Sequence, residues 1–296
     1  MELRNLLTFM HVAELGSFTK AAQKLGYSQS TISFQIKQLE EELDCLLFER
    51  INHTISLTAR GHHLLSYAHQ VQALTDDFME NMEAKEPHGN VHIVLPDSVC
   101  EEMIYQHYSD FHQKYPHISI RFTTGDTSLM LDMLDHNTAD VIITLDRRIY
   151  HKDYVIANEM RLPMHFVANP RGKFACAGKL SVRDIIDEPF ILTEYDQGYR
   201  RVFDRELAKQ SLFISPTLEI GRTDIITAMV AKSDMLSYLP DFVTKPLVDI
   251  GALSYLDVED FHIDVWKQLI YHKNKWISGS LRTFIDYVSA SEFSAE

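Results

Sequence analysis

The sequence predicts an α/β protein with an N-terminal all-α winged helix-turn-helix and one long helix joining the two parts. Three observations lead there. Two short helical patterns meet at the tight corner Gly26-Tyr27-Ser28. Residues 59–85 contain no proline and a single glycine, Gly61, so they read as one uninterrupted helix. From Val91 onward, strand-like apolar runs alternate with helical patterns, the order expected of a largely parallel sheet covered by helices.

The N-terminal elements follow in order. Leu3, Leu6, Leu7, Phe9, Met10 and Val12 form the apolar side of a first helix that should cover the pair behind it. In the next helix, 18–25, Ala21, Ala22 and Leu25 share a side, and the alanines allow close approach of another helix. The following helix begins at Ser28, whose hydroxyl can satisfy a free helical N–H. It places Ile32, Ile36, Leu39 and Leu43 at helical spacing, with Gln29, Ser30, Thr31, Ser33, Phe34, Gln35 and Lys37 outward near its start. Two helices joined by a glycine-containing turn, the second polar in its first half, form the helix-turn-helix pattern. In that pattern the second helix enters the DNA major groove. Gln, Ser and Thr both donate and accept hydrogen bonds, as the reading of base edges requires. Phe34 has two readings, contact with a thymine methyl or packing on the wing. Residues 47–57 read as that wing, a hairpin with Asn52 and His53 at its tip and Arg50 available for phosphate.

Thr58 then caps the long helix. Leu64, Ala68, Val71, Leu74, Phe78 and Met82 recur at three- and four-residue steps, like the a and d positions of a coiled coil. At roughly 1.5 Å per residue the helix is about 40 Å long. A helix of that length cannot bury its seam alone, so the seam is expected to pair with a second copy. The other reading is a helix lying along its own domain. Glu86-Pro87-His88-Gly89 reads as a hinge. Beyond it, strands are expected at 91–95, 118–122 and 141–144, with helices between them.

At this point a family resemblance emerges. Phe18, Ala21-Ala22, Leu25, Ser28-Gln29-Ser30, Ser33, Ile36, Leu39-Glu40, Leu43, Leu47-Phe48-Glu49-Arg50 and Leu57-Thr58 fall where the LysR-type transcriptional regulators place them, without a gap over 3–61. Residues 114–144 and 217–243 resemble the effector domain of the same family, which is shaped like a periplasmic binding protein. The resemblance implies a DNA-binding domain at 1–58, a linker and dimerisation helix with its hinge at 59–88, and an effector-binding domain at 89–296. That domain would comprise subdomain I (89–162 and 267–296) and subdomain II (163–266). The chain should leave subdomain I near Arg161-Leu162-Pro163 and return near Val265-Trp266-Lys267. The implied partners are double-stranded DNA carrying an inverted repeat, a small-molecule effector, further copies of the chain as a dimer and tetramer, and RNA polymerase at the promoter. Asn52 and His53 stand where the family's wing usually carries more arginine.

In α/β folds of this type, small molecules bind in the crevice beyond the strand ends, and helix N-termini there favour anions. Ser98, Thr127 and Ser128 match the small hydroxyl residues that the family turns toward its effector. Glu194, Tyr199 and Thr223 would face them from subdomain II. Plain capping explains Ser98 and Thr127 equally well. Asp97, Asp126 and Glu194 would repel a carboxylate if they pointed inward. Cys100, at a helix start, reads either as a redox sensor or as an inert buried thiol.

Composition bounds the rest. The net charge is −14, yet residues 1–60 hold six Lys/Arg against seven Asp/Glu, so nearly all the excess lies beyond them. The acidic balance weakens non-specific DNA affinity and raises the need for dimerisation. Cys45, Cys100 and Cys176 show no metal spacing, no HExxH pattern occurs among the 15 histidines, and no metal site is assigned. No run of eighteen apolar residues spans a membrane, no signal-peptide layout opens the chain, and a cytoplasmic location is expected. There is no glycine-rich phosphate loop, no GxSxG elbow and no nucleophile beside a base, so neither an enzyme nor a cofactor is expected. A second reading is a cytoplasmic small-molecule binding protein whose helix-turn-helix is vestigial, motivated by the acidic balance and the arginine-poor wing.

Overall fold

Three helices build the N-terminal unit: α1 (Leu3–Leu15), α2 (Phe18–Leu25) and α3 (Gln29–Leu43). The computed structural model describes residues 2–51, 54–81, 87–175 and 177–293. Ser17 caps α2, accepting from the Lys20 N–H, and Gly26 ends it at φ 71°, a left-handed turn that glycine adopts without strain. Phe9, Val12, Ala21, Ala22, Ile32, Ile36 and Leu39 form the core between the three helices. Leu43, expected on that face, lies in the last turn of α3 and is 39% exposed, at the edge of a hollow it shares with Leu47, Leu64 and Tyr67. The wing is the antiparallel pair β1 (Phe48–Ile51) and β2 (Thr54–Leu57), with Phe48 opposite Leu57. The Phe48 ring anchors it, packed 5.3 Å from Phe9 and 5.7 Å from Phe18.

The long helix is α4 (Ala59–Asn81), capped by the Thr58 hydroxyl, which accepts from the Gly61 N–H at 2.9 Å. Its seam is divided. Leu64, Ala68 and Val71 pack on Leu6, Leu7 and Met10 of α1 in the same chain, and Ala68 is 0% exposed. A residue fully covered inside one chain cannot also be a knob in a second copy. The exposed stripe runs one step round the helix, through Tyr67 (45% exposed, its ring edge-on to His63) and Leu74 (40% exposed). The Phe78 side chain and Met82 lie outside the described residues.

The remainder is α/β. Its first part holds β3 (Gly89–Leu95), α5 (Asp97–Met103) running through a π-helical turn into α6 (Ser109–Lys114), β4 (Ile118–Thr124), α7 (Thr127–Asp135), β5 (Val141–Asp146) and β6 (Tyr154–Leu162). The chain then crosses at Pro163 into β7 (Met164–Ala168), α8 (Val182–Ile185), β8 (Ile191–Leu192), α9 (Gly198–Lys209), β9 (Leu218–Glu219), α10 (Thr223–Val230), β10 (Ser237–Pro240), α11 (Asp241–Asp249) and β11 (Ser254–Tyr255). It returns through β12 (Val265–His272) to α12 (Gly279–Glu292). The main sheet has the order β4-β3-β5-β12-β6. Strands β4, β3 and β5 are parallel, as the alternating pattern predicts, but β12 runs against both neighbours because it is the returning strand. The two crossings lie side by side, with Val265 opposite Leu162. The second part carries an antiparallel sheet β10-β7-β11 and a short parallel pair β8-β9.

A buried charge cluster ties the crossing to its surroundings. Lys267 of β12, almost fully buried, donates to Glu292 at the end of α12 and lies 3.4 Å from Glu102 of α5. The Phe242 and Phe293 rings flank its ammonium group at 5.4 and 5.6 Å.

Candidate nucleic-acid interface and ligand cleft

The first turn of α3 is built from hydroxyls. Ser28 is the N-cap and accepts from the Thr31 N–H at 3.1 Å, while its Oγ lies 2.7 Å from Ser30 Oγ and 2.8 Å from Thr31 Oγ1. Gln29, Ser30, Phe34 and Lys37 are exposed on one face, with Ser33 half-buried among them. Lys37 lies 3.4 Å from Glu41 in an exposed i, i+4 pair. Phe34 is 67% exposed, so the ring is not packed on the wing. The Arg50 side chain, Asn52 and His53 lie outside the described residues.

Gln35 departs from the sequence reading. It is buried, and its amide oxygen accepts from the Thr8 hydroxyl of α1 at 2.8 Å, so it braces α3 rather than facing outward. We predict that Gln35→Ala costs about 1–3 kcal/mol by orphaning a buried hydroxyl. Urea denaturation measures that loss, and base preference at the operator should be unchanged.

The residues expected in one ligand cleft fall in four places. Ser98 and Thr223, both buried, line a cavity of about 470 Å³ with Tyr105, Phe242 and Leu247. Thr127 and Ser128 line a second cavity of about 510 Å³ with Arg147, Arg148, Arg201 and Arg205. Cys100 and Tyr199 belong instead to the hydrophobic core, because the inward faces of α5 and α9 must be covered. Burial, with Asp97 and Glu101 nearby, pushes the Cys100 thiol up to about 11, the opposite direction from a reactive thiolate. Glu194 is exposed beside Gly221 and lines neither cavity.

The second cavity lies where the two parts of the α/β region meet. Gly198 at the start of α9 permits the contact, since a Cβ there would lie 2.3 Å from the Leu145 carbonyl oxygen and 2.9 Å from Thr127 Oγ1. That approach brings Arg201 and Arg205, one turn apart on α9, opposite Arg147 and Arg148 at the end of β5. Asp146 is already engaged: it accepts from Thr127 Oγ1 at 2.9 Å, from the Arg147 N–H at 2.7 Å and from Arg201 Nη2 at 3.1 Å. Arg148 is forked onto Glu159 and stacked over Tyr150 and Trp266, at 4.8 and 4.3 Å. Asp126, a feared source of repulsion, caps α7 through the Ser128 and Leu129 N–H groups and does not line this cavity.

Two family models match the chain. Residues 3–62 match the bacterial regulatory helix-turn-helix protein of the lysR family, and residues 84–292 match the LysR substrate binding domain. The chain belongs to the LysR-type transcriptional regulators. Among curated relatives it is similar to the HTH-type transcriptional regulator YwqM of Bacillus subtilis strain 168, 29% identical over 97% of this chain and 98% of the relative. Among solved structures it resembles ArgP from Mycobacterium tuberculosis, with TM-score 0.75, 21% identity and 96% of each chain covered. It also resembles full-length CbnR solved with its target DNA, with TM-score 0.58, 19% identity, and 98% of this chain and 100% of that one covered. These structures share the fold. The family match makes the chain a DNA-binding transcriptional regulator with a substrate-binding domain, and the vestigial reading of its helix-turn-helix is not favoured. Among the described residues no helix is long and apolar enough to cross a membrane.

Proposed function

We propose that this regulator binds a small-molecule effector between the two parts of its α/β domain and passes that binding to a pair of α3 helices on an inverted-repeat operator. The observation that carries the reading is the 510 Å³ cavity at the meeting of α7, β5 and α9, within the size range of small-molecule sites. On this reading residues 1–58 read DNA, 59–88 link and pair two subunits, and 89–296 hold the effector. Gln29, Ser30, Ser33, Phe34 and Lys37 face the groove. Self-pairing uses Tyr67 and Leu74, the stripe of α4 that α1 leaves uncovered. Further pairing gives a tetramer, and the DNA-bound assembly meets RNA polymerase. The relation between cavity and linker supports a route between them. Helix α7 begins at the cavity with Thr127 and Ser128, and His136 at its C-cap lies 5.7 Å edge-on from His62 of α4.

An effector shifts such an equilibrium only by binding one arrangement better than the other. The test is a thermal-shift screen of metabolites on the full-length protein, followed by operator footprinting with each hit. A specific ligand raises the melting temperature by mass action. The reading expects the same ligand to alter the protected region. A ligand that saturates the protein and leaves the footprint unchanged contradicts it.

A further inference from the structure

We infer that the ligand of the 510 Å³ cavity is a small dianion, its two negative charges carried by one phosphoryl group or by two carboxylates. The inference deepens the effector reading above and rests on it for the cavity's role, but its own content is charge. Four guanidinium groups and one carboxylate line the cavity. Asp146 balances Arg201, and Glu159 balances Arg148 from outside the lining. Arg147 and Arg205 have no ion pair or side-chain hydrogen bond among the described residues. Two uncompensated cations therefore face the same space, in a chain whose net charge is −14. Like charges gathered in an otherwise acidic protein repel one another and focus a local positive potential.

A guanidinium is planar, permanently charged and matched to carboxylate or phosphate oxygens by its fork of donors. One monoanion would satisfy one fork and leave the other unmatched. A dianion satisfies both. The hydroxyl of exposed Ser128 adds a neutral donor at the rim. Apolar lining comes from Leu131, Ile149 and the ring of Tyr150, over which Arg148 is stacked, so charge rather than apolar area dominates the wall. Arg148 and Arg201 are held in place by their partners, so the site does not need to collapse on an empty centre.

The experiment uses the full-length protein at constant ionic strength, balanced with chloride. The probes are succinate, glycerol 3-phosphate, the monoanion lactate and neutral glycerol. Trp266, stacked on Arg148, provides a fluorescence readout beside the thermal shift, with Trp266→Phe identifying its contribution. At least one dianion is expected to half-saturate at a concentration tenfold or more below that of lactate, with no response to glycerol. The arm that responds tells phosphoryl from dicarboxylate. Arg147→Gln combined with Arg205→Gln should abolish that preference while operator affinity without ligand is retained, and Arg282→Gln on α12 should leave it intact. Equal response to lactate and both dianions, no response to either dianion, or a preference that survives the double substitution would overturn the inference. Failure of the effector reading looks different: a dianion binds as described and the footprint does not change.

Discussion

Lys267→Met is expected to destabilise the α/β domain by about 3–5 kcal/mol at pH 8, the cost of breaking a buried ion pair and leaving its anions behind. Lys267 and Glu292 are both nearly inaccessible, Glu102 completes the group, and His107 Nε2 stands 3.4 Å from Glu292 Oε1. The pH dependence gives the prediction its signature. Burial raises the Glu102 carboxyl to about 7, Lys267 opposes that rise and Glu292 adds to it. A carboxyl raised in the folded state binds its proton more tightly there than in the unfolded chain. Its contribution is fully present below the ordinary carboxylate range and is lost as pH rises through about 7. Removing Lys267 removes the main opposing influence, so the penalty should be larger at pH 8 than at pH 5.5, where the carboxyl can be neutral. Urea denaturation at the two pH values measures it. Glu102→Gln, which mimics the protonated form, should flatten the difference. Equal losses at both pH values, or a loss under about 1 kcal/mol, would show that the cluster is not the bolt described.

Tyr67→Glu combined with Leu74→Glu is expected to lower operator affinity by about a hundredfold or more while each half-site is still recognised. Both side chains are exposed in the single chain, so the substitutions should leave the fold nearly unchanged. What they place across a self-paired α4 is a set of four like charges. Linking two binding units makes the second contact intramolecular, and avidity of this kind typically amounts to about 10²–10⁴. Light scattering at micromolar concentration should show the variant at half the mass of the parent. Ala68→Ser makes a useful contrast: that position is sealed against α1, so it should affect stability before assembly.

The helix-turn-helix is legible in the sequence because its signals are local. The cap at Ser28, glycine at 26 and alanines at 21 and 22 each determine a short piece of chain without reference to distant residues. Gln35 shows how residue type can mislead. It lies three residues after Ile32 and four before Leu39, on the buried face by spacing, yet its polarity invites an outward reading. The seam of α4 misleads differently: periodicity identifies an apolar stripe but not which surface covers it, and α1 takes half. The arginine cavity needs information no window contains. Arg147-Arg148 at a strand end and Arg201 with Arg205 at an i, i+4 step are visible in the sequence, but only the close seat of Gly198 on β5 brings them together.

The most direct test of the account is a footprint of the purified full-length protein on DNA selected from a random library. The account predicts a protected inverted repeat whose half-sites lie a whole number of helical turns apart, about 10 base pairs per turn. It also predicts that Gln29→Ala relaxes preference at one position in each half-site, a loss of about 1–3 kcal/mol of discrimination. Protection that follows no sequence, or a single unrepeated site with Gln29→Ala indistinguishable from the parent, would contradict it.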